Sequence, residues 1–176
     1  MAMAEASAKC HKFEGGLAYG LDPKMSQDFA DKIEATCGYP VQICATAEEA
    51  VRGADVIFTQ TTGAAHVLQL DWLKPHATII ASGSDQPTKN ELPAEVMKKS
   101  KFVVDLIRQC SRVGELRTAI KEGLMTEADV HAELGEVVNG TKTGREGDEL
   151  IVVDLTGTGA QDAAIGQIAW DILSKK

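Results

Sequence analysis

The residues of this chain that could do chemistry gather where apolar runs stop. Ile79-Ile80-Ala81 gives way to Ser82-Gly83-Ser84-Asp85, Pro87 turns the chain, and Lys89 follows the acid by four residues. A carboxylate in a dehydrated crevice can have its proton affinity moved far enough to serve as donor or acceptor. The same Asp, two residues before Pro87, can equally close an Asx turn on its own backbone, and spacing leaves both readings open. Lys89 can meet a phosphate or a carboxylate, or stay solvated. Gly20-Leu21-Asp22, Thr61-Thr62-Gly63 and Thr156-Gly157-Thr158-Gly159 follow apolar segments in the same way. Asp22 can hold a ribose hydroxyl or only start the turn into Pro23. Glycines admit close backbone approach and hydroxyls add donors, as a dinucleotide's phosphates and ribose require. Any one such segment is adequately explained as a tight turn; four on one edge favour a nucleotide site.

Other signals are absent or bland. No G-x-G-x-x-G joins a first strand to its helix, and Gly157-Thr158-Gly159-Ala160-Gln161-Asp162 opens a helix only after the last strand. Cys10, Cys37, Cys44 and Cys110 lack CxxC spacing and a nearby His pair, so no metal site is expected and free thiols are. His66 and His76 near loops, His131 on an expected helix, and Trp72 and Trp170 at helical positions read as structural.

The elements that must position these residues alternate. Strands are predicted over 17–20, 41–44, 55–60, 77–82, 101–106 and 149–155. Helices are predicted from Pro23 to Gly38, from a Thr46 cap with Glu49 three residues on, from Pro93 to Lys99, from Gly114 to Leu124, from Ala128 to Val138, and from Ala160 to Leu173, with a helical turn at 71–73. Continuous apolar strands between helices predict an α/β fold with a doubly wound, mostly parallel sheet, in which ligands bind beyond the carboxyl ends of the strands.

The chain's 176 residues suit one ordinary domain. Hydrophobic residues at 44% and charged residues at 25% are globular proportions, which excludes a disordered chain. A net charge of −8 without a basic stripe argues against nucleic acid as a partner. No apolar stretch is long enough to cross a membrane, and the first residues carry no signal-peptide core, so a cytoplasmic protein is expected.

Several longer segments, "ADVIFTQTT", "DWLKPHATIIASGSDQPTKNEL", "GELRTAIKEGLM" and "DVHAELGEVVNGTKTGREGDELIVVDLTGTGAQDAAI", resemble the ornithine cyclodeaminase/mu-crystallin family in order and spacing, over nearly everything after Gly16. The resemblance implies a Rossmann-like domain over residues 16–176 that binds NAD or NADP. That family transfers hydride at an amine or imine carbon and includes alanine dehydrogenases, tauropine dehydrogenase and a ketimine reductase. It implies that Asp85 exchanges the proton, that Thr61, Ser82, Gly83, Ser84, Lys89 and Leu155 lie along the cofactor, and that Thr156 touches an amino or imino acid substrate. Leu155 can offer only backbone or apolar contact. Against the family pattern, the substrate and dimerisation domain, the first Rossmann strand and its Gly-rich turn are missing. Residues 1–15 are expected as a remnant helix or flexible leader, and the sheet as incomplete on its N-terminal side. Where NAD-using members often carry an acid at the end of the next strand stands Gly20, with Asp22 two residues later as a substitute. Weak or lost dinucleotide binding is expected, as is an exposed apolar face on the last helix, with Ile165, Ile168, Ile172 and Leu173, that invites a homo-oligomer. A non-catalytic binding or assembly role is the alternative.

Overall fold

The computed structural model describes residues 2–175. Contacts divide the chain into two compact units, one running to Asp55 and including Asp71–Lys74, the other made of Val56–Leu70 and the chain from Pro75 onward. The domain expected over 16–176 spans both.

In the first unit, helix α1 (Ala2–Cys10) precedes strand β1 (Gly16–Ala18), helix α2 (Pro23–Cys37), strand β2 (Val41–Ile43) and helix α3 (Ala47–Gly53). β1 and β2 pair in parallel, Leu17 opposite Gln42. Pro23 sits in the first turn of α2, where its missing N–H costs nothing, and Gly38 closes the helix with an N–H donated to the Glu34 carbonyl at 3.0 Å. Ala30 and Ile33 form the buried stripe of α2. The Thr46 hydroxyl accepts the Glu49 N–H at 3.1 Å, and the Glu49 carboxylate reaches back to the Ala45 N–H at 2.9 Å. The predicted cap forms, with its return bond one residue earlier than in a full capping box.

The second unit holds a five-stranded parallel sheet in the order β3 (Val56–Thr59), β4 (Thr78–Ala81), β7 (Ile151–Asp154), β5 (Lys101–Val104), β6 (Ala132–Glu133). Ile79, Val152 and Phe102 stand opposite one another on the three central strands, and each is at most 1% exposed. A side chain buried this completely contributes roughly 1.5–3 kcal/mol. Helices α4 (Ala94–Lys98) and α6 (Glu115–Lys121) pack together and bury Val96, Met97, Leu116 and Ala119. The fold is thus α/β with parallel strands, as the alternation of apolar strands and helices implied.

Three segments differ from expectation. The helix expected over Ala128–Val138 is a 3-10 turn (Glu127–Asp129), then β6, then a short helix α7 (Leu134–Val138). The sheet edge wins over helical propensity here: the His131 N–H donates to the Phe102 carbonyl at 2.8 Å and Ala132 pairs with Val103. His131 therefore leads into a strand, with Nε2 2.9 Å from the Thr143 carbonyl. A short helix α5 (Ile107–Cys110), unforeseen in sequence, follows β5 directly. Finally, the last helix, α8 (Gly159–Leu173), buries none of its side chains. Among the described residues no helix is long and apolar enough to cross a membrane.

Candidate functional site

In-register pairing ends the four long strands of the five-stranded sheet together: Thr59 lies opposite Ala81, Ala81 opposite Asp154, and Asp154 opposite Val104. Thr61, Ser82, Gly83, Ser84, Asp85, Asp105, Leu155 and Thr156 follow just beyond those ends. The structure therefore gathers the predicted site residues of this unit on one edge. Asp22 belongs to the other unit, where Oδ1 of its exposed side chain accepts the N–H groups of Lys24 (2.9 Å) and Met25 (3.1 Å) and caps α2.

Buried carboxylates hold the loops of this edge. Glu91, fully buried, accepts the Thr61 N–H at 2.5 Å, and its own N–H donates to Glu115 Oε1 at 2.8 Å. Glu115, also fully buried, accepts the Leu92 N–H at 3.1 Å and a hydrogen bond from the Asn90 amide. Asn90 Nδ2 also meets the Leu92 carbonyl, which can only accept, so Asn90 Oδ1 faces His66 Nε2 at 2.7 Å and the imidazole donates there. Desolvation pushes the Glu115 carboxyl above its ordinary range. Gly83 lies directly against the Glu91 carboxylate, where any Cβ would collide with all three carboxyl atoms. Glycine at 83 is required by that carboxylate, whatever else the backbone there contacts. The Ser84 hydroxyl is buried and turned inward, donating to the Lys89 carbonyl at 2.8 Å. Ser82 is less deeply buried, and its N–H bonds the Thr59 carbonyl at 3.0 Å. Thr61 is exposed, with its hydroxyl accepting the Gly63 N–H at 3.2 Å.

Of the two surroundings left open by its spacing, Asp85 does not occupy a dehydrated crevice. Its side chain is 52% exposed and forms a 2.8 Å ion pair with Lys89 Nζ. The Lys89 hydrogen bond holds the Asp85 carboxyl below its ordinary range, with a smaller opposing contribution from desolvation. The physical reason is the loop: the Lys89 carbonyl is pinned by Ser84 Oγ and by Arg117 Nη2 at 3.0 Å, which holds the lysine backbone where its side chain reaches the acid. Asp85 is therefore held as an ionised carboxylate paired with a cation. Lys89, offered in sequence to a phosphate or a carboxylate, meets the latter within its own loop.

On the other side of β7, Asp105 organises the segment after that strand. Its carboxylate accepts the N–H groups of Leu106, Thr156 and Gly157, each at 2.8 Å, the Thr156 hydroxyl at 3.0 Å and the Cys110 thiol at 3.0 Å. Gly157 turns the chain there with φ of 84°, a left-handed conformation that glycine adopts without strain. Asp154, fully buried, accepts the Leu116 N–H at 3.1 Å, while its Oδ1 meets no donor among the described residues. Desolvation, with Glu115 and Asp105 nearby, pushes its carboxyl up to about 7. The Cys110 thiol is raised too, chiefly by burial.

Glu91, Asp105, Glu115 and Asp154 escaped sequence reasoning because acids are assigned to solvent by default. A signal existed: Val103-Val104-Asp105 and Val152-Val153-Asp154 each follow an apolar run with Asp at the strand's end, where the side chain cannot avoid the sheet's carboxyl edge. All four cysteines are free, and among the described residues no three His, Cys, Asp or Glu side chains are grouped as metal ligands. The edge carries short hydroxyls, of which those of Ser84 and Thr156 give their protons to the Lys89 carbonyl and Asp105, and one exposed carboxylate paired with its lysine.

The alanine dehydrogenase of Archaeoglobus fulgidus is 41% identical over 126 residues, 71% of this chain and 39% of that protein. An archaeal alanine dehydrogenase dimer solved with bound NAD superposes with a TM-score of 0.92 at 35% identity, covering 98% of this chain and 54% of that one. The Thermococcus litoralis Δ1-pyrroline-2-carboxylate reductase, solved with NADH and L-proline, gives 0.91 at 28% identity, covering 94% and 52%. The chain thus spans about half the length of such relatives, or less. The family model for ornithine cyclodeaminase/mu-crystallin matches residues 2–176, and the chain belongs to that family.

Proposed function

We propose that residues 16–176 form the dinucleotide-binding portion of an NAD(P)-dependent oxidoreductase that acts at the amine or imine carbon of an amino or imino acid. The observation that carries this reading is the edge itself: in a chain that superposes on an alanine dehydrogenase solved with NAD and a Δ1-pyrroline-2-carboxylate reductase solved with NADH, strand ends bring Thr61, Ser82 to Asp85, Lys89, Leu155 and Thr156 together. Bound NAD(P) supplies or accepts the hydride. Thr61, Ser82, Gly83, Ser84, Lys89 and Leu155 are the candidate cofactor contacts, the buried Ser84 through its backbone. Asp85, held as a carboxylate by Lys89, takes the proton released at the substrate nitrogen, and Thr156 contacts the substrate. The test is turnover with NAD or NADP and a cyclic amino acid such as L-proline, the direction in which the nitrogen releases its proton, followed as gain of reduced-cofactor absorbance, for the wild type and Asp85→Asn. Turnover abolished by the substitution supports the reading; equal turnover in both overturns the role of Asp85.

A second reading is a non-catalytic binding or assembly role. It is favoured by α8, where Ile165, Ile168, Trp170, Ile172 and Leu173 are each more than half exposed, an apolar surface suited to self-association. Dinucleotide binding without turnover, together with a sedimentation coefficient that rises with concentration, supports this reading over the first.

A further inference from the structure

The Thr156 hydroxyl has a hydrogen-bond account that can be closed. Gln109 Nε2 lies 2.8 Å from Thr156 Oγ1 and 2.5 Å from the Gly157 carbonyl. A carbonyl only accepts, so the amide of Gln109 must present its nitrogen on this side, and Thr156 Oγ1 accepts one of its protons. The hydroxyl's own proton has Asp105 as its acceptor, at 3.0 and 3.2 Å from the two carboxyl oxygens. Every other partner of Asp105 among the described residues is also a donor: the N–H groups of Leu106, Thr156 and Gly157 and the Cys110 thiol. The Cys110 sulfur is 3.9 Å from Thr156 Oγ1, a weak contact beside its 3.0 Å bond to Asp105. With its proton given and one lone pair filled, Thr156 retains a single lone pair.

We propose that Asp105 and Gln109 are positioning residues that commit the Thr156 hydroxyl to act only as an acceptor, so that this site selects a ligand group carrying N–H, such as an ammonium or iminium, over one presenting only oxygen lone pairs. The inference rests on the reading of Thr156 as a substrate contact and deepens it. A carboxylate or ether oxygen placed against Thr156 faces lone pair with lone pair, whereas an N–H completes the fourth position of the hydroxyl. The same carboxylate that orients the hydroxyl also holds the Thr156 and Gly157 amides, so orientation and loop position come from one residue.

The experiment uses the full chain saturated with NADH and two probes of the same shape, L-proline, whose ring nitrogen bears protons, and tetrahydrofuran-2-carboxylate, whose ring oxygen bears none. The wild type is expected to bind L-proline at least about tenfold more tightly, the scale of one hydrogen bond to a charged donor. Thr156→Val should remove most of that preference by weakening L-proline alone. Equal weakening of both probes, or no preference in the wild type, overturns the proposal. Separately, hydrogen exchange at the Thr156 and Gly157 amides should quicken at least about tenfold in Asp105→Asn, with β4 amides unchanged; unchanged exchange at 156 and 157 overturns the positioning role. If NADH does not bind at all, the proposed function fails, and with it the ligand preference, while the exchange arm still decides what Asp105 does.

Discussion

Replacing Asp154 by Asn tests whether the edge is built on a carboxylic acid kept out of water. Asp154 ends the central strand β7, is 0% exposed, and accepts the Leu116 N–H through one oxygen while the other has no donor among the described residues. Burial, with Glu115 and Asp105 nearby, raises its carboxyl from 3.8 to about 7. The native state therefore binds a proton there that the unfolded chain releases near pH 4. Its stabilising contribution is fully present below pH 4 and is lost as pH rises through about 7. A shift of roughly three units corresponds to about 4 kcal/mol between those limits. Asn keeps the shape and an acceptor for the Leu116 N–H but does not titrate. The assay is urea unfolding at a series of pH values from 4 to 8 for both proteins. Other carboxyls, including Asp85, contribute with the opposite sign, so the informative quantity is the difference between the two curves. The stability of the variant minus that of the wild type should increase by up to about 4 kcal/mol across this range. Parallel curves would refute the account of Asp154 as a buried, raised acid.

Other outcomes rest on the same geometry. Gly83→Ala forces a methyl into the Glu91 carboxylate and should cost about 1–3 kcal/mol in thermal or urea unfolding, with faster exchange of the Thr61 N–H that Glu91 accepts. Lys89→Met removes the cation that holds Asp85 down, so the Asp85 carboxyl should titrate at higher pH than in the wild type when monitored by NMR. In native conditions a thiol reagent should modify exposed Cys10 first and half-buried Cys37 more slowly, while Cys44 and Cys110 react only on unfolding.

Much of the architecture was legible because buried parallel strands read as largely apolar runs: Thr78–Ala81, Lys101–Val104 and Ile151–Asp154 all lie inside the predicted segments. The candidate site residues were legible because they come directly after those runs, at the carboxyl ends of the strands. The place of Asp85 at a strand end could be read in this way and its surroundings could not, because the ion pair with Lys89 depends on a loop pinned by Ser84 and Arg117, and Arg117 is distant in sequence. The helix expected across Ala128–Val138 failed for a related reason: its apolar spacing suits a helix, but the Phe102 carbonyl on the open edge of β5 captures the His131 N–H. Buried acids such as Glu91 and Glu115 are invisible to residue type alone, since what permits them is the set of backbone N–H groups folded around them.

The proposed function requires that the carboxyl edge of the five-stranded sheet bind a nicotinamide dinucleotide. Titrating isotope-labelled chain with NADH, and separately with NADPH, while recording amide NMR spectra tests it most directly. The account predicts saturable shifts concentrated at Thr61, Ser82 to Asp85, Leu155 and Thr156. Spectra unchanged at high concentrations of both dinucleotides, or shifts that leave those residues untouched, would contradict it.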